Sequence, residues 1–325
     1  MAYSQGDLIL DDHYNIFATG NAAGSGDNSV ANLNTVWGAG TTDKGYGQTN
    51  TLSAVSAGSS ITATQWATLF TRITSAANHQ GTTITALTNP SAGDSIDAVS
   101  TLSSAITSIY NNRGNAAASG TDSTTNTDGT GTWYTTTTHT ITVTFTSDAK
   151  ARYFFNAGGL IGISSSRSGG TSNDKNTEWT DTCTKIGTIW ISGGTSTQTI
   201  NGASYTGTTK SGGGGTVDTL NSNFGFHDSG TSNTTIFKQF ADTGPYTANY
   251  IQIDLKDDGA GVITITVTYK DDATDTIIAP DGSDVSSFDR VDGTLRTTTT
   301  VRPPSTTYIS DTWGTPTVSG SNSQS

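Results

Sequence analysis

The chain has 325 residues, of which 13% are charged and 32% apolar, and its formal net charge is −12. Charged residues usually make up roughly 25% of a globular protein, whereas here threonine, serine, asparagine and 38 glycines take their place. No run of lysine or arginine is able to neutralise phosphates and no apolar run reaches the roughly 20 residues of a membrane span, so neither nucleic acid nor a membrane is an expected partner.

The N-terminal third predicts an arm followed by two helices. Residues 1–60 are glycine-rich with short apolar patches, which indicates an arm or attachment segment with one or two helical turns near Trp37. Residues 61–114 should form a helical hairpin, in which Thr62 caps the first helix and Gly81 ends it. The expected apolar faces are Trp66, Leu69, Phe70, Ile73 and Ala77 on the first helix, and Ile96, Val99, Leu102, Ile106 and Ile109 on the second.

A polar, glycine-punctuated linker is expected at residues 115–131, and after it the period of the sequence changes to two. From Thr138 to Thr144 threonine alternates with residues suited to burial, which predicts a strand with one wet and one buried face. The glycine, threonine and serine of residues 193–216 indicate a loop. Helices are expected at 147–156 and 174–185, and strands at 160–163, 186–192, 234–240, 250–255 and 262–269, the last two joined by a tight turn at 257–259.

Together these elements predict an α+β protein that is mainly β. The arm and the helical hairpin precede an antiparallel, sandwich-like β domain at residues 132–300 with one or two short helices. Residues 301–325 lack a core-forming pattern and read as an extended tail. We expect a neighbouring chain to hold this tail, with Tyr308, Ile309 and Trp313 as anchors at the interface.

Residues able to carry out chemistry are scattered along the chain. The four histidines lie far apart without metal-ligand spacing, and Cys183, the only cysteine, has no nearby histidine, which favours a buried thiol over a nucleophile. Adjacent aspartates occur in turns, but the twelve-residue calcium loop is absent. Glu178 is the only glutamate, and the glycine runs lack the lysine of a phosphate loop. We therefore expect no catalytic residue, no cofactor and no metal.

Aromatic residues in turn-rich surroundings allow two interpretations. They are able to contact sugars from an exposed position, or they pack in the core or at a subunit interface, and we favour packing. The residues concerned are Tyr205, Phe224, Phe226, Tyr246, Tyr308 and Trp313.

Two segments are distinctive: residues 61–70 (ITATQWATLF) running on to 79–81 (HQG), and residues 151–159 (ARYFFNAGG). Both resemble segments of structural proteins of tailed bacteriophages, particularly myophages of cyanobacteria and other aquatic bacteria. In those proteins the second segment leads from a strand through a short helix into another strand. A polar residue usually follows their glycine pair, whereas this chain has Leu160-Ile161-Gly162. The resemblance implies a virion structural protein and does not indicate its place in the particle.

The second segment also has a physical interpretation of its own. Four consecutive large residues on a helix point to several sides, and the glycine pair lets the chain turn back sharply. We therefore expect Tyr153 together with Phe154 or Phe155 to pin the helix to the sheet.

We expect a non-enzymatic structural protein of a tailed phage, in the tail, baseplate or tail fibre, which acts through subunit assembly. A capsid decoration or neck protein is the first alternative, and a host-surface glycan-binding adhesin or depolymerase the second. The expected partners are copies of the chain, as a trimer or hexamer, and other virion proteins, with host-surface glycans as a further candidate. The expected location is the virion tail, after assembly in the host cytoplasm.

Overall fold

The computed structural model describes residues 11–89, 99–273, 277–278, 284–285 and 290–324. As predicted, the fold is α+β and mainly β. Its helices are α1 (Asp11–Thr19), α2 (Leu33–Trp37), α3 (Ala63–Gln80), α4 (Val99–Asn111), α5 (Asp148–Asn156) and α6 (Asp174–Lys185). Its strands are β1 (Ser123–Thr130), β2 (Thr136–Thr144), β3 (Leu160–Ser168), β4 (Thr188–Ile191), β5 (Gln198–Ile200), β6 (Ala203–Tyr205), β7 (Thr208–Ser211), β8 (Val217–Leu220), β9 (Thr234–Phe240), β10 (Tyr250–Asp257), β11 (Val262–Lys270), β12 (Ile277–Ile278), β13 (Asp284–Val285), β14 (Thr294–Arg302) and β15 (Thr317–Gln324).

Two antiparallel sheets pack face to face. The five-stranded sheet has the order β1-β14-β3-β4-β7 and the six-stranded sheet the order β15-β2-β11-β10-β9-β8. The pairs β5-β6 and β12-β13 form separate hairpins. Every second residue of β2, β10, β11 and β14 is buried, because side chains alternate between the faces of a strand and the inner faces form the shared core. The strands predicted at residues 138–144, 250–255 and 262–269 are therefore confirmed as β2, β10 and β11, whereas β14 was not predicted.

One side of the sandwich is closed where β1 meets β15. The Asn322 side chain donates to the Asp128 carbonyl oxygen over 2.7 Å. Two glycines permit the close approach: a Cβ atom at Gly320 would lie 1.8 Å from Thr127 Oγ1, and one at Gly129 would lie 2.9 Å from His139 Nε2. The outer strands of the two sheets thus cover each other, which limits edge-to-edge pairing with other chains.

The first predicted helix is confirmed as α3. Thr62 and Gln65 form a capping box at its start, and Gly81 ends it in the left-handed conformation. Trp66, Leu69, Phe70 and Ile73 are all buried, as expected, and α4 packs against this helix with Leu102, Ile106 and Ile109 buried. Ile96 lies outside the described residues.

The expectation of an N-terminal arm is wrong for residues 11–60. Helices α1 and α2 pack against α3 and α4, and Tyr14 lies edge-on to Trp66 with ring centroids 5.5 Å apart. Asn15 holds the following segment in place by bonding both the backbone nitrogen and the carbonyl oxygen of Val55. The short apolar patches of this region are thus the missing side of a helical layer, since α3 and α4 alone leave apolar surface uncovered.

The predicted linker at 115–131 and loop at 193–216 contain strands. Residues Ser123–Thr130 form β1, which pairs with β14 along its whole length. Its sequence lacks apolar residues, and the pairing depends on backbone hydrogen bonds and on Arg296, which donates twice to Asp128 over 2.7 and 2.8 Å. Residues 193–216 contain β5, β6 and β7.

The C-terminal tail folds onto its own chain, so the expectation that a neighbour holds it is wrong. Strand β15 pairs with β2, from Thr317 opposite Thr144 to Gln324 opposite Thr137. Before it, the backbone of Ser310 forms two hydrogen bonds with the Gln48 side chain. The edge of β2 provides enough backbone partners to hold a strand that has few apolar side chains of its own.

Trp66→Ala is expected to lower the free energy of unfolding by about 3–5 kcal/mol, because it leaves a cavity among the rings of Tyr14, Phe17 and Phe70. Urea unfolding followed by circular dichroism measures the loss. Thr74→Ala, at an exposed position of the same helix, is the matched control and should change stability by less than about 0.5 kcal/mol. A loss of less than 1 kcal/mol for Trp66→Ala would contradict the packing described.

Deletion of residues 317–325 is expected to expose the outer edge of β2 and to speed amide hydrogen exchange in residues 137–144. Hydrogen-exchange mass spectrometry measures this directly. Ser321→Ala keeps the backbone ladder and should leave exchange unchanged. Equal protection of β2 in the deleted and the full chain would show that β15 is not paired there in solution.

Candidate functional site: a hydroxyl-bearing sheet face

On three adjacent strands of the six-stranded sheet, β15, β2 and β11, the outer face carries rows of hydroxyl groups, called here the hydroxyl face. The strand register aligns these groups in rows, so that Thr140 of β2 lies between Thr266 of β11 and Ser321 of β15. Neighbouring strands lie about 4.8 Å apart, and successive outward residues about 6.8 Å apart along a strand. The hydroxyl face comprises Thr136, Thr138, Thr140, Thr142, Thr144, Thr264, Thr266, Thr268, Thr317, Ser319, Ser321 and Ser323.

Charged and aromatic residues border the hydroxyl face on β9 and β10. The Lys238 ammonium lies 4.5 Å from the ring centroid of Phe240 and 4.0 Å from that of Tyr250. Gln252 donates to Asp254, with 3.0 Å to the nearer carboxylate oxygen. Burial, Asp272 and Asp254 together raise the pKa of Tyr250, which keeps its phenol neutral. These five residues, Lys238, Phe240, Tyr250, Gln252 and Asp254, form a polar and aromatic border strip beside the hydroxyl face.

A buried polar cluster behind the hydroxyl face joins the two sheets. Thr297 of β14 forms hydrogen bonds with His139 over 2.8 Å and with Tyr269 over 2.7 Å, and Tyr269 also bonds Ser165 over 2.6 Å. Burial lowers the pKa of His139 from 6.5 to about 4, against the opposing effect of Asp128, and raises that of Tyr269. Both side chains are fully buried and neutral, so the cluster fixes the relation of the sheets and has no access to a substrate.

Within the described ranges, one group of three acidic side chains is close enough to share a cation: the ligand oxygens of Glu178, Asp181 and Asp242 lie within 4.8 Å of one another. The Lys185 ammonium pairs with Asp181 over 2.5 Å and also with Asp242. A lysine thus already supplies the positive charge that a metal ion would bring.

None of the helices in the described part of the chain is long and apolar enough to cross a lipid bilayer.

The residues expected to pin α5 to the sheet do so in part. Phe154 and Phe155 are fully buried; Phe154 packs against Phe145 with centroids 5.2 Å apart, and Phe155 stacks on Phe226 at 4.6 Å. Tyr153 is half-buried and lies under the Arg152 guanidinium at 4.9 Å. The phenylalanines therefore anchor the helix inside the core, and the tyrosine ring lies against Gly47.

Of the three residues expected at a subunit interface, two are buried in their own chain and one is exposed. Ile309 and Trp313 are each 3% exposed and belong to the core of their own chain, whereas Tyr308 is 45% exposed. Burial also accounts for Tyr205 and Phe226, while Phe224 and Tyr246 are half-buried. The sequence marked these aromatic side chains because their neighbours are turn-forming, and such neighbours do not prevent a side chain from turning inward.

No protein-family model matches the chain, and comparisons with curated proteins and with solved structures found no match either.

Sequence reasoning recognised the outward threonines of β2 but not the hydroxyl face as a whole. The strands that complete it, β11 and β15, are distant in the chain, and only the register places their hydroxyls in the same rows. The same alternation of threonine with apolar residues in β11 was a usable signal. The serines of β15 carried no such signal, because the residues between them are mostly polar.

Stability should fall as the pH is lowered from about 6.5 to about 4. Burial lowers the pKa of His79, His139 and His227 from 6.5 to about 4 in the fold, so in this range the unfolded chain binds more protons than the folded chain. Urea unfolding at a series of pH values measures the effect, and His139→Gln should make the dependence shallower. Asp258→Asn is the control: backbone hydrogen bonds lower the pKa of Asp258 below 3.8, so its effect should appear at more acidic pH. A flat profile between pH 6.5 and 4 would contradict the buried neutral histidines.

Proposed function

We propose that this chain is a non-enzymatic structural protein of a tailed phage virion, in the tail, baseplate or tail fibre, and that it acts by assembling with copies of itself and with other virion proteins. The observation that carries the proposal is the hydroxyl face. It is broad and regular on three adjacent strands, β15, β2 and β11, and its twelve hydroxyl-bearing residues are uncharged, with Lys270 at its edge opposite Thr136.

A face of this kind suits permanent contact between subunits. The cores of protein interfaces are depleted in charged residues, because buried charges lose their hydration. Threonine presents both a methyl group and a hydroxyl group, so a second sheet packed on it gains apolar contact and hydrogen bonds across the interface. The resemblance of residues 61–81 and 151–159 to phage structural proteins supports the same assignment independently.

A second function, binding of host-surface glycans, is supported by the border strip. Tyr250 and Phe240 are partly exposed and adjacent to the amide and carboxylate of Gln252 and Asp254. Aromatic rings beside hydrogen-bonding groups provide the contacts that a sugar ring requires. Tyr250→Ala separates the two functions, since it should abolish glycan binding and leave assembly through the hydroxyl face unchanged.

Thr140→Arg combined with Thr266→Arg should weaken self-association of the purified chain at least tenfold, because each arginine places a charge in the centre of the hydroxyl face, which the subunit contact would bury. Sedimentation velocity across a range of concentrations measures the association. Thr124→Arg, at an exposed outward position of the five-stranded sheet, is the matched control and should associate like the unaltered chain. All three proteins should unfold at similar temperatures, because surface substitutions change stability by less than about 0.5 kcal/mol.

A chain that stays monomeric at every concentration, or association that both variants leave unchanged, would contradict assembly through this face. In the particle, a reconstruction distinguishes the remaining alternatives. Copies at three- or sixfold positions on the tail axis support a tail component, and copies on the capsid lattice would indicate a decoration protein.

A further inference from the structure

The most deeply buried ion pair of the described residues joins Lys175 and Asp271. The Lys175 nitrogen lies 2.7 Å from Asp271 Oδ2, and the two side chains are 0% and 2% exposed. The other described pairs all retain more exposure; the next most buried, Arg167 with Asp292, has side chains 5% and 15% exposed. Lys175 is thus a primary amine enclosed within the protein directly against a carboxyl group.

The surroundings of the pair follow from element geometry. Lys175 and Trp179 are four residues apart on α6 and share one face of the helix. Tyr269 and Asp271 are two residues apart at the end of β11 and point to the same side. The Trp179 and Tyr269 rings meet with centroids 6.3 Å apart, and Trp133 packs on Trp179 at 5.0 Å. The first two of these rings thus share the faces that carry Lys175 and Asp271, and the pair itself is closed to solvent.

Condensation of the two groups would remove both charges from this enclosure. Burying two opposite charges costs free energy that their attraction does not always repay, and transfer of one proton converts them to a neutral amine and a carboxylic acid. Transfer of that proton at the start of the reaction makes the amine a nucleophile, and the carboxyl carbon is bonded directly to the oxygen that the nitrogen contacts. Reacting groups held in this way have effective concentrations of about 10⁵ M or more.

We propose that Lys175 and Asp271 become joined by an intramolecular isopeptide bond. The Lys175 nitrogen attacks the Asp271 carboxyl carbon, a C–N bond forms, and one C–O bond breaks. The departing oxygen leaves as water with two of the three ammonium hydrogens, and the third remains on the amide nitrogen. The ammonium and carboxylate thus become an amide and one water molecule, and neither an oxidant nor a cofactor is required.

The bond would join helix α6 covalently to the residue after β11. Helix α6 packs on β3 of the five-stranded sheet, and Asp271 directly follows β11 of the six-stranded sheet. A cross-link between positions so distant in sequence restricts the unfolded chain strongly. The inference does not depend on the proposed function, because the bond would form in a monomer.

Intact-mass spectrometry of the denatured, unaltered chain provides the test. We expect a mass lower than that of the sequence by one water molecule, after allowance for removal of Met1. Trypsin should release a branched product in which residues 168–185, uncut after Lys175, are joined to residues 271–290. A chain of full mass after prolonged incubation in the folded state, or a loss of water without this branched product, would overturn the proposal.

Two variants locate the bond. Lys175→Arg keeps the positive charge but should retain the full mass, because a guanidinium does not form this amide, and Asp271→Ala should do the same. Lys185→Arg, which alters a more exposed lysine of the same helix, is the matched control and should still lose water. Loss of water in Lys175→Arg would also overturn the assignment, and the result for the unaltered chain stands whether or not the variants fold.

Discussion

The packing of one sheet's inner face on the other is the constraint on which the rest of the molecule depends. With 32% apolar residues, the chain has little apolar surface to bury, and strict alternation along the long strands sends nearly all of it to one side. Thr297, His139 and Tyr269 then bond across the interior, which fixes how the two sheets face each other. On β2 and β11 the hydroxyl face is the other side of the same alternation, because most outward positions between the inward residues are threonines.

The elements that could be predicted are those whose own residues carry a period. Helix α3 has apolar residues at helical spacing between a capping threonine and a terminal glycine, and β2, β10 and β11 alternate, so local sequence was sufficient for each. Strands β1 and β15 were not predicted, because most of their inward positions hold polar residues or glycine. These are Thr127, Gly129, Gly320 and Asn322. Such strands exist because a partner edge supplies the backbone hydrogen bonds, and that partner is remote in sequence.

The prediction for the N-terminal segment was wrong for a different reason. Its apolar residues are separated by glycines and asparagines, so no window contains a full helical stripe, and only the tertiary fold shows that Tyr14 and Phe17 complete the layer around Trp66. The Lys175–Asp271 pair could not be predicted at all. Neither residue stands in a motif, and the crossing of α6 with the end of β11 is what brings them together.

The order of strands also determines how the chain can reach its native state. Ser123 of β1 pairs with Val301, and Thr137 of β2 with Gln324, so an early strand of each sheet has a neighbour among the last residues described. Loop closure over such separations is slow, and folding rates decrease as contacts become less local. The helical layer, built from near neighbours in sequence, can form while β1 and β2 still lack their partners. A newly made chain therefore passes through a stage in which threonine-rich strands have open edges, and their low apolar content reduces the risk of aggregation during that interval.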